Sequence, residues 1–260
     1  MAADMSMHGR RVVVTAGAQG IGLVIARTFV EAGAQVHICD VNADALAAAK
    51  TSMPGISYSV TDVSDEAQVD AMFADLKTRW NTLDALVNNA GIAGPTAKLE
   101  DIALADWQRT IGINLTGLFL CARRAVPMIK AAGGGSIVNM SSVAGRLGYP
   151  LRTPYSASKF GVVGLTKTWA MELGPSNIRV NAVLPGTVKG DRVEQIIAAK
   201  AEAAGVSQDE MRTRFVEKVS MRRMVSPEDV ANQILFICSP AGAMISGQSL
   251  SVCGNMEYLG

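Results

Sequence analysis

The stretch VVVTAGAQGIG, residues 12–22, decides the fold of this chain. It begins with the β-branched run 12–14, continues through a glycine-rich turn and opens a helical pattern that ends at Gly33. Backbone N–H groups at such a helix start, helped by the helix dipole, can hold a pyrophosphate. The stretch therefore predicts a strand, a phosphate-binding turn and a helix.

The same alternation continues along the chain. Short apolar strands are predicted at residues 36–39, 57–60, 85–87, 137–140 and 180–183, and helices at 42–50, 65–79, 105–131 and 155–173. Buried strands with helices between them are typical of a parallel sheet covered on both faces, because right-handed crossovers place helices on either side. The predicted fold class is α/β, a doubly wound (Rossmann-type) parallel sheet.

The composition favours one compact domain spanning residues 1–260. Hydrophobic residues make up 49% of the chain and charged residues 18%, and no linker interrupts the pattern. The segment 190–224 is charged and helical, and it is interpreted as part of a substrate lid at about 188–225. A single dinucleotide-binding and catalytic domain with a lid is the predicted organisation.

The charge balance favours a small-molecule partner. Twenty-four Lys and Arg against 23 Asp and Glu give a net charge of +1, with no basic stripe suited to nucleic acid or to an anionic membrane. No apolar run approaches the roughly 18 residues of a membrane span, and the N-terminus lacks an apolar signal region. The four cysteines form no C-x-x-C pair, so we expect reduced thiols, a cytoplasmic location and no metal site.

Each glycine of the turn has a predicted role. Gly17 would permit the turn, Gly20 the close approach of a phosphate, and Gly22 the packing of helix against strand. Gln19 and Ile21 complete the predicted cofactor-binding turn.

Asp40 closes the second predicted strand, 23 positions after Gly17. A carboxylate there can accept hydrogen bonds from both adenosine ribose hydroxyls and would repel a 2′-phosphate. Ala18, Gln19 and Val41 offer that phosphate no cation. Asp40 therefore predicts NAD as the cofactor, with NADP less favoured.

Tyr155 and Lys159 lie four residues apart at the start of a predicted helix, so they share one face. A phenol is a poor base at neutral pH, but a neighbouring ammonium and an oxidised nicotinamide both favour the phenolate. Ser142 follows a strand at the sheet edge where ligands bind in open α/β folds. These residues indicate proton transfer during interconversion of an alcohol and a carbonyl.

Several motifs together resemble the short-chain dehydrogenase/reductases. They are residues 15–22, Asn88-Asn89-Ala90-Gly91, Asn114, Ser142, Tyr155-Ser156-Ala157-Ser158-Lys159 and Pro185-Gly186. Their order and spacing match that family from residue 11 to residue 254. Jointly the motifs are highly specific, although each alone is weak.

The resemblance implies roles for individual residues. Tyr155 would be the acid/base, Lys159 would assist it and bind the nicotinamide ribose, Ser142 would orient the substrate, and Asn114 would hold a water in the proton relay. Further cofactor contacts would come from Asp62, Val63, Asn89, Ala90, Gly91, Pro185, Gly186, Thr187 and Val188.

The resemblance also implies a strand order of 3-2-1-4-5-6-7 and a homotetramer. The tetramer would form through the helices that contain Leu118 and Trp169. A role for both residues in the core of one subunit stays equally open.

One residue departs from the family pattern. The family usually has glycine directly after the threonine of its first motif, where this chain has Ala16. We expect the methyl group to be tolerated through a negative φ at this residue.

Three other functions are consistent with parts of the sequence. Ser156-x-x-Lys159 matches a hydrolase motif, but its usual partner motifs are missing and the chain has only His8 and His37. A dinucleotide-binding sensor without activity is disfavoured because Tyr155, Lys159 and Ser142 are all present. Reduction of a 3-oxoacyl thioester remains an alternative, since the fold and catalytic residues are shared across substrates.

Three cations are candidate substrate contacts. Arg152 precedes Tyr155 by three residues, and Lys189 and Arg192 open the lid. They favour a hydroxy acid or a sugar-derived alcohol as substrate. The alternative is that Arg152 serves its own loop or a neighbouring subunit and that the lid cations are solvated.

Overall fold

The computed structural model describes residues 4–256, apart from the side chains of Arg192, Ala199, Lys200 and Ala203. Within this range seven parallel strands form one sheet in the order β3-β2-β1-β4-β5-β6-β7. The strands are β1 Arg11–Thr15, β2 Gln35–Asp40, β3 Ser57–Val60, β4 Ala85–Asn88, β5 Gly135–Met140, β6 Ile178–Pro185 and β7 Ser249–Val252. The predicted doubly wound fold and strand order are confirmed.

Helices cover both faces of the sheet. They are α1 Gly20–Glu31, α2 Ala43–Ser52, α3 Glu66–Arg79, α4 Leu104–Ile111, α5 Gly117–Ala131, α6 Thr153–Leu173, α7 Asp191–Ala204, α8 Gln208–Glu217 and α9 Pro227–Cys238. Side chains of α1, α2 and α9 pack in one apolar cluster with the sheet, and those of α3, α5 and the end of α6 in another. This two-sided burial explains why the central strands are almost entirely apolar.

The predicted helix 105–131 is interrupted. Between α4 and α5, residues Gly112–Thr116 form a π-helical segment, which contains Asn114. The apolar pattern runs on through this segment, so periodicity did not reveal the break. Such π segments are frequent at functional sites because the extra residue redirects a side chain.

The segment between β6 and α9 folds into the helical pair α7 and α8. Val193, Ile197, Met211 and Met224 form a small apolar cluster of their own. Arg212 pairs with Glu194 across the two helices at 2.6 Å.

Backbone hydrogen bonds join the two ends of this segment to each other and join the residues after α8 to those after β7. The Lys189 N–H donates to Val225 O at 2.8 Å, and the Ser220 N–H donates to Asn255 O at 3.0 Å. The predicted lid is thus a compact helical unit, closed at its base and joined to the residues after β7.

All four cysteines lie within the described residues as buried free thiols. Burial raises the pKa of Cys39 to about 12 and that of Cys238 to about 11, so both remain neutral near pH 7. None of the helices in residues 4–256 is sufficiently long and apolar to span a membrane.

Candidate active site

The glycine-rich turn joins β1 to α1 at the carboxyl edge of the sheet. Ala16 adopts φ +49°, so the expected negative φ at this residue is wrong. The turn requires a left-handed residue here, which explains why the related family usually has glycine. The methyl group is accommodated with strain rather than avoided.

The three glycines are required for different contacts. A Cβ at Gly17 would lie 2.7 Å from the Ile38 side chain, and one at Gly22 would lie 2.0 Å from Ala16 O. Gly20 has φ +52° with open space beside it. Gly17 therefore permits close packing on β2, Gly22 makes room for the turn itself, and Gly20 leaves the start of α1 accessible to a phosphate.

Asp40 lies beside this turn, as predicted from its place at the end of β2. Its Oδ2 accepts a hydrogen bond from the Ala18 N–H at 3.3 Å, and its Oδ1 accepts one from the Asn42 N–H at 3.1 Å. These bonds hold the carboxylate next to the start of α1, where the ribose of a dinucleotide would lie.

Asn89 fastens the end of β4 to the turn. Its Nδ2 donates to the backbone oxygens of Thr15 and Ala16 at 3.0 and 3.1 Å. The Thr15 hydroxyl in turn accepts from the N–H groups of Asn89 and Ala90, each at 3.0 Å. Sequence reasoning missed this role of Thr15, although a threonine ending an apolar strand was a signal.

Asn114 is brought into the site by the π segment. Its side chain, 1% exposed, accepts from the Ile92 N–H at 2.7 Å and donates to Ile92 O at 2.9 Å. A Cβ at Gly91 would lie 3.3 Å from Asn114 Oδ1 and 3.4 Å from Lys159 Nζ. Gly91 thus leaves a cradle beside both polar groups, and this arrangement fits a bound nicotinamide ribose.

Lys159 is buried between β5 and α6. Its Nζ donates to Met140 O at 2.8 Å and lies 5.6 Å from the centre of the Tyr155 ring. The Ser141 hydroxyl donates to Lys159 O at 2.8 Å. Sequence reasoning did not identify Met140 or Ser141, because a backbone acceptor leaves no mark in the sequence.

Ser142 begins a tight turn directly after β5. Its Oγ accepts from the Ala144 N–H at 3.2 Å. A Cβ at Gly145 would lie 2.7 Å from Lys159 O, so this turn packs directly on the catalytic helix. Ser142 is therefore carried on a segment that rests against Lys159.

The remaining predicted cofactor contacts lie at the same edge. Asp62 Oδ1 accepts from the Ser64 N–H at 2.9 Å, and Val63 is 6% exposed. Gly186 packs on Cys253. Beyond Pro185 and Gly186, Thr187 accepts from the Val225 N–H and Val188 forms a bridge with Val225.

Arg152 lies over the ring of Tyr155. Its guanidinium carbon is 5.6 Å from the centre of the Tyr155 ring and 5.5 Å from that of Tyr149. Its two terminal nitrogens donate to Thr96 Oγ1 and Ala93 O, at 2.9 and 2.8 Å. Its buried Nε has no hydrogen-bond partner among the described residues.

The two predicted lid cations are Lys189 and Arg192. Lys189 is exposed at the base of the lid, and the side chain of Arg192 lies outside the described residues. In the part of the chain that is described, no three His, Cys, Asp or Glu side chains converge as metal ligands.

The helices expected to form a tetramer, α5 and α6, expose residues other than Leu118 and Trp169. Leu118 is 5% exposed and Trp169 packs partly buried against the core. Phe119 and Phe160 are instead 42% and 48% exposed, and Met171 is 81% exposed.

Comparison with known proteins identifies relatives along the whole chain. A family described as "Enoyl-(Acyl carrier protein) reductase" matches residues 15–256. The chain is 40% identical over 248 residues to cis-4-hydroxycyclohexanecarboxylate dehydrogenase of Sinomonas cyclohexanicum, covering 94% of this chain and 95% of that protein. It is 35% identical over 256 residues to 3-oxoacyl-[acyl-carrier-protein] reductase FabG of Thermotoga maritima, covering 97% and 99%.

A solved structure agrees with these relatives. Actinorhodin polyketide ketoreductase with NADPH superimposes with a TM-score of 0.91 at 31% identity, covering 95% of this chain and 97% of that one. The family match, the sequence identities and the sheet order lead to the same assignment: the chain is an oxidoreductase of the short-chain dehydrogenase/reductase family.

Proposed function

We propose that this protein interconverts a secondary alcohol and a ketone using NAD, with Tyr155 as the acid/base. The observation that carries the proposal is that Asn114 and Lys159 border the cradle at Gly91, with Lys159 Nζ 5.6 Å from the centre of the Tyr155 ring. A nicotinamide bound there would supply hydride transfer. The fold brings all of these groups to the carboxyl edge of the sheet, where ligands of such folds bind.

Each protein residue has a defined task in this reaction. The Tyr155 phenolate takes the alcohol proton during oxidation, and the hydroxyl so formed returns it during reduction. The Lys159 ammonium, held by Met140 O, favours the phenolate electrostatically. Ser142 donates a hydrogen bond to the reacting oxygen, and Asn114 holds a water that leads the proton out.

The preference for NAD rests on Asp40. Its carboxylate is fixed beside the start of α1, where it would repel a 2′-phosphate. Since the polyketide ketoreductase above is described with NADPH, cofactor choice needs a direct test.

We expect higher kcat/KM with NAD than with NADP, and a smaller ratio between the two values in Asp40→Ala. Asp44→Ala, an exposed carboxylate nearby on α2, is the matched control; equal or better activity with NADP rejects the assignment.

A polar hydroxy acid is the proposed substrate class, with a sugar-derived alcohol as the other polar candidate. The segments around Tyr155, residues 88–97, 112–116, 138–152, 155–161 and 185–190, contain no Asp or Glu. They carry four cations, Arg146, Arg152, Lys159 and Lys189. This charge favours an anionic substrate, and one relative is by its name a dehydrogenase of a cyclic hydroxy acid. Arg192 adds a further lid cation.

A spectrophotometric comparison tests the substrate class. cis-4-Hydroxycyclohexanecarboxylate and cis-4-methylcyclohexanol have similar sizes and differ in charge. A charge-assisted hydrogen bond of about 1.5–3 kcal/mol would favour the acid about 10- to 100-fold in kcat/KM. Equal turnover of acid and neutral alcohol excludes an anionic substrate.

Arg152 is tested with the same pair of substrates. Arg152→Ala should raise KM for the acid selectively if the Arg152 guanidinium binds its carboxylate. Lys98→Ala removes an exposed cation outside the segments around Tyr155 and serves as the control. Equal losses on both substrates mean that Arg152 only supports the loop through Thr96 and Ala93.

Reduction of a 3-oxoacyl thioester is the second candidate, favoured by the similarity to the Thermotoga reductase. Acetoacetyl-CoA with NADPH or NADH tests it in the same assay. Nucleotide binding without turnover of any of these compounds would instead support the sensor function.

We further propose a homotetramer in the cytoplasm, with residues 188–225 acting as the substrate lid. The exposed Phe119, Phe160 and Met171 supply apolar surface on the two long helices, and four buried free thiols suit a reducing compartment. Light scattering after gel filtration should give four times the monomer mass, and a monomer contradicts this assembly.

A further inference from the structure

Helix α6, which carries Tyr155 and Lys159, packs on the sheet through a largely polar face. Its fully buried residues are Pro154, Ser158, Lys159, Val162 and Thr166. Its large apolar Phe160 and Met171 are exposed, and only its far end adds partly buried apolar contacts. A helix is ordinarily located on a core by an apolar stripe. Near its catalytic end only Pro154 and Val162 are apolar among these buried residues, so hydrophobic burial contributes little to specifying the rotation of α6 there.

A chain of buried hydrogen bonds specifies the rotation of α6 on the sheet. Asn88 of β4 and Asn139 of β5 are paired in register, and Asn88 Nδ2 donates to Asn139 Oδ1 at 3.0 Å. Asn139 Nδ2 then donates to Thr166 Oγ1 at 3.0 Å, and the Thr166 hydroxyl donates to Val162 O at 2.8 Å. All three side chains are at most 2% exposed. A displaced helix would leave these amide groups unpaired in the core, which is costly.

Three consecutive residues, the last two of β5 and the one that follows it, hold α6 at successive points. Asn139 holds Thr166, Met140 O accepts from Lys159 Nζ, and Ser141 Oγ donates to Lys159 O. Thr166 lies seven residues after Lys159, about 10 Å further along the helix axis. Two points of attachment this far apart fix the tilt of the helix as well as its rotation. The residue after Ser141 is Ser142, at the start of the tight turn.

We propose that Asn139 and Thr166 are positioning residues, which set the register of α6 on β5 and thereby the placement of Tyr155 relative to Ser142. This inference rests on the proposed function. It assigns the buried amide and hydroxyl a task in the reaction beyond stabilising the sheet, since polar groups inside a core can specify one packing arrangement over others.

Thr166→Val tests the proposal, because it keeps the side-chain shape and removes the hydroxyl. We expect kcat to fall about 10- to 100-fold, as a misplaced acid/base would cause. The Kd for NADH, measured by fluorescence titration, should stay within about threefold of wild type, since the cofactor turn is elsewhere. Thr166→Ser should restore kcat.

Thr168→Val is the matched control on the same helix. Thr168 is exposed and makes the same kind of bond, to Gly164 O at 3.1 Å; its loss should leave kcat unchanged. If Thr166→Val does not fold, Asn139→Val/Thr166→Val replaces both partners with apolar groups, which moves the unpaired donor from the helix contact to Asn88 Nδ2 within the sheet. The same fall in kcat is expected for it.

Two results would overturn the inference. One is a kcat of Thr166→Val, or of the double variant, equal to that of Thr168→Val. The other is a loss of NADH affinity in parallel with kcat, which would show a general structural role. Failure of the proposed function is distinguishable, because it would appear as absent turnover in wild type or as an active Tyr155→Phe variant.

Discussion

At the residue scale, Ala16 combines a strained backbone with a required position. Two neighbouring contacts hold its left-handed φ of +49° in place. The Ala16 carbonyl oxygen accepts a hydrogen bond from Asn89 Nδ2, and it occupies the space that a Cβ on residue 22 would need. The sequence revealed the departure from the family motif but not the sign of φ. That sign depends on contacts with β4, which is distant in the chain.

Ala16→Gly should therefore stabilise the protein. Relief of about 1–2 kcal/mol of left-handed strain outweighs about 0.5–1 kcal/mol of added chain entropy in the unfolded state. We expect the free energy of unfolding in urea to rise by about 0.5–1 kcal/mol. Ala18→Gly is the control, because Ala18 is buried without a positive φ. A gain for Ala18→Gly or a loss for Ala16→Gly would contradict the strain.

At the scale of single elements, the hydrophobic pattern predicted the strands and helices but not the interruptions within helices. The predicted strands and most helix limits agree with the structure, because apolar periodicity reports burial directly. The π segment at Gly112–Thr116 was missed, since it changes hydrogen bonding without changing the apolar pattern. The same limit applies to α6, whose placement depends on single polar pairs.

The end of α9 offers a prediction at this scale. Arg179 donates from NH1 to the carbonyls of Ile237 and Gly242, and from NH2 to Cys238 O at 3.2 Å. Ile237 and Cys238 end α9, where carbonyls lack a partner within the helix, and Gly242 O also accepts from the Ile245 N–H at 3.0 Å. Arg179→Ala should lower the free energy of unfolding by about 2 kcal/mol, and Arg179→Lys by less. Equal stability of all three proteins in urea would show that the contacts contribute nothing.

At the scale of the whole molecule, a buried histidine links stability to pH. His37 is fully buried in β2, with hydrogen bonds between Nδ1 and Ser57 Oγ at 2.9 Å and between Nε2 and Ser59 Oγ at 3.1 Å. Burial, aided by the nearby Arg79 charge, lowers the pKa of His37 to about 4. The folded state therefore holds this imidazole neutral. The sequence placed His37 within a strand but showed neither its burial nor its partners.

The sign of the pH effect follows from this lowered pKa. The unfolded chain binds a proton below about pH 6.5, whereas the folded protein does so only near pH 4, so stability is full above pH 6.5 and falls between these values. We expect a loss of about 2 kcal/mol between pH 7.5 and pH 5. His37→Gln should flatten this part of the urea-unfolding profile, and an unchanged slope would contradict the assignment.

In the proposed reaction, Tyr155 exchanges the proton while the rest of the site holds the cofactor. The most direct test is the turnover of Tyr155→Phe, measured at 340 nm on the best hydroxy acid or alcohol, together with NAD affinity. Loss of the phenol hydroxyl should lower kcat at least about 10²- to 10⁴-fold, with the Kd for NAD within about threefold of wild type. A Tyr155→Phe variant with wild-type kcat would contradict the account.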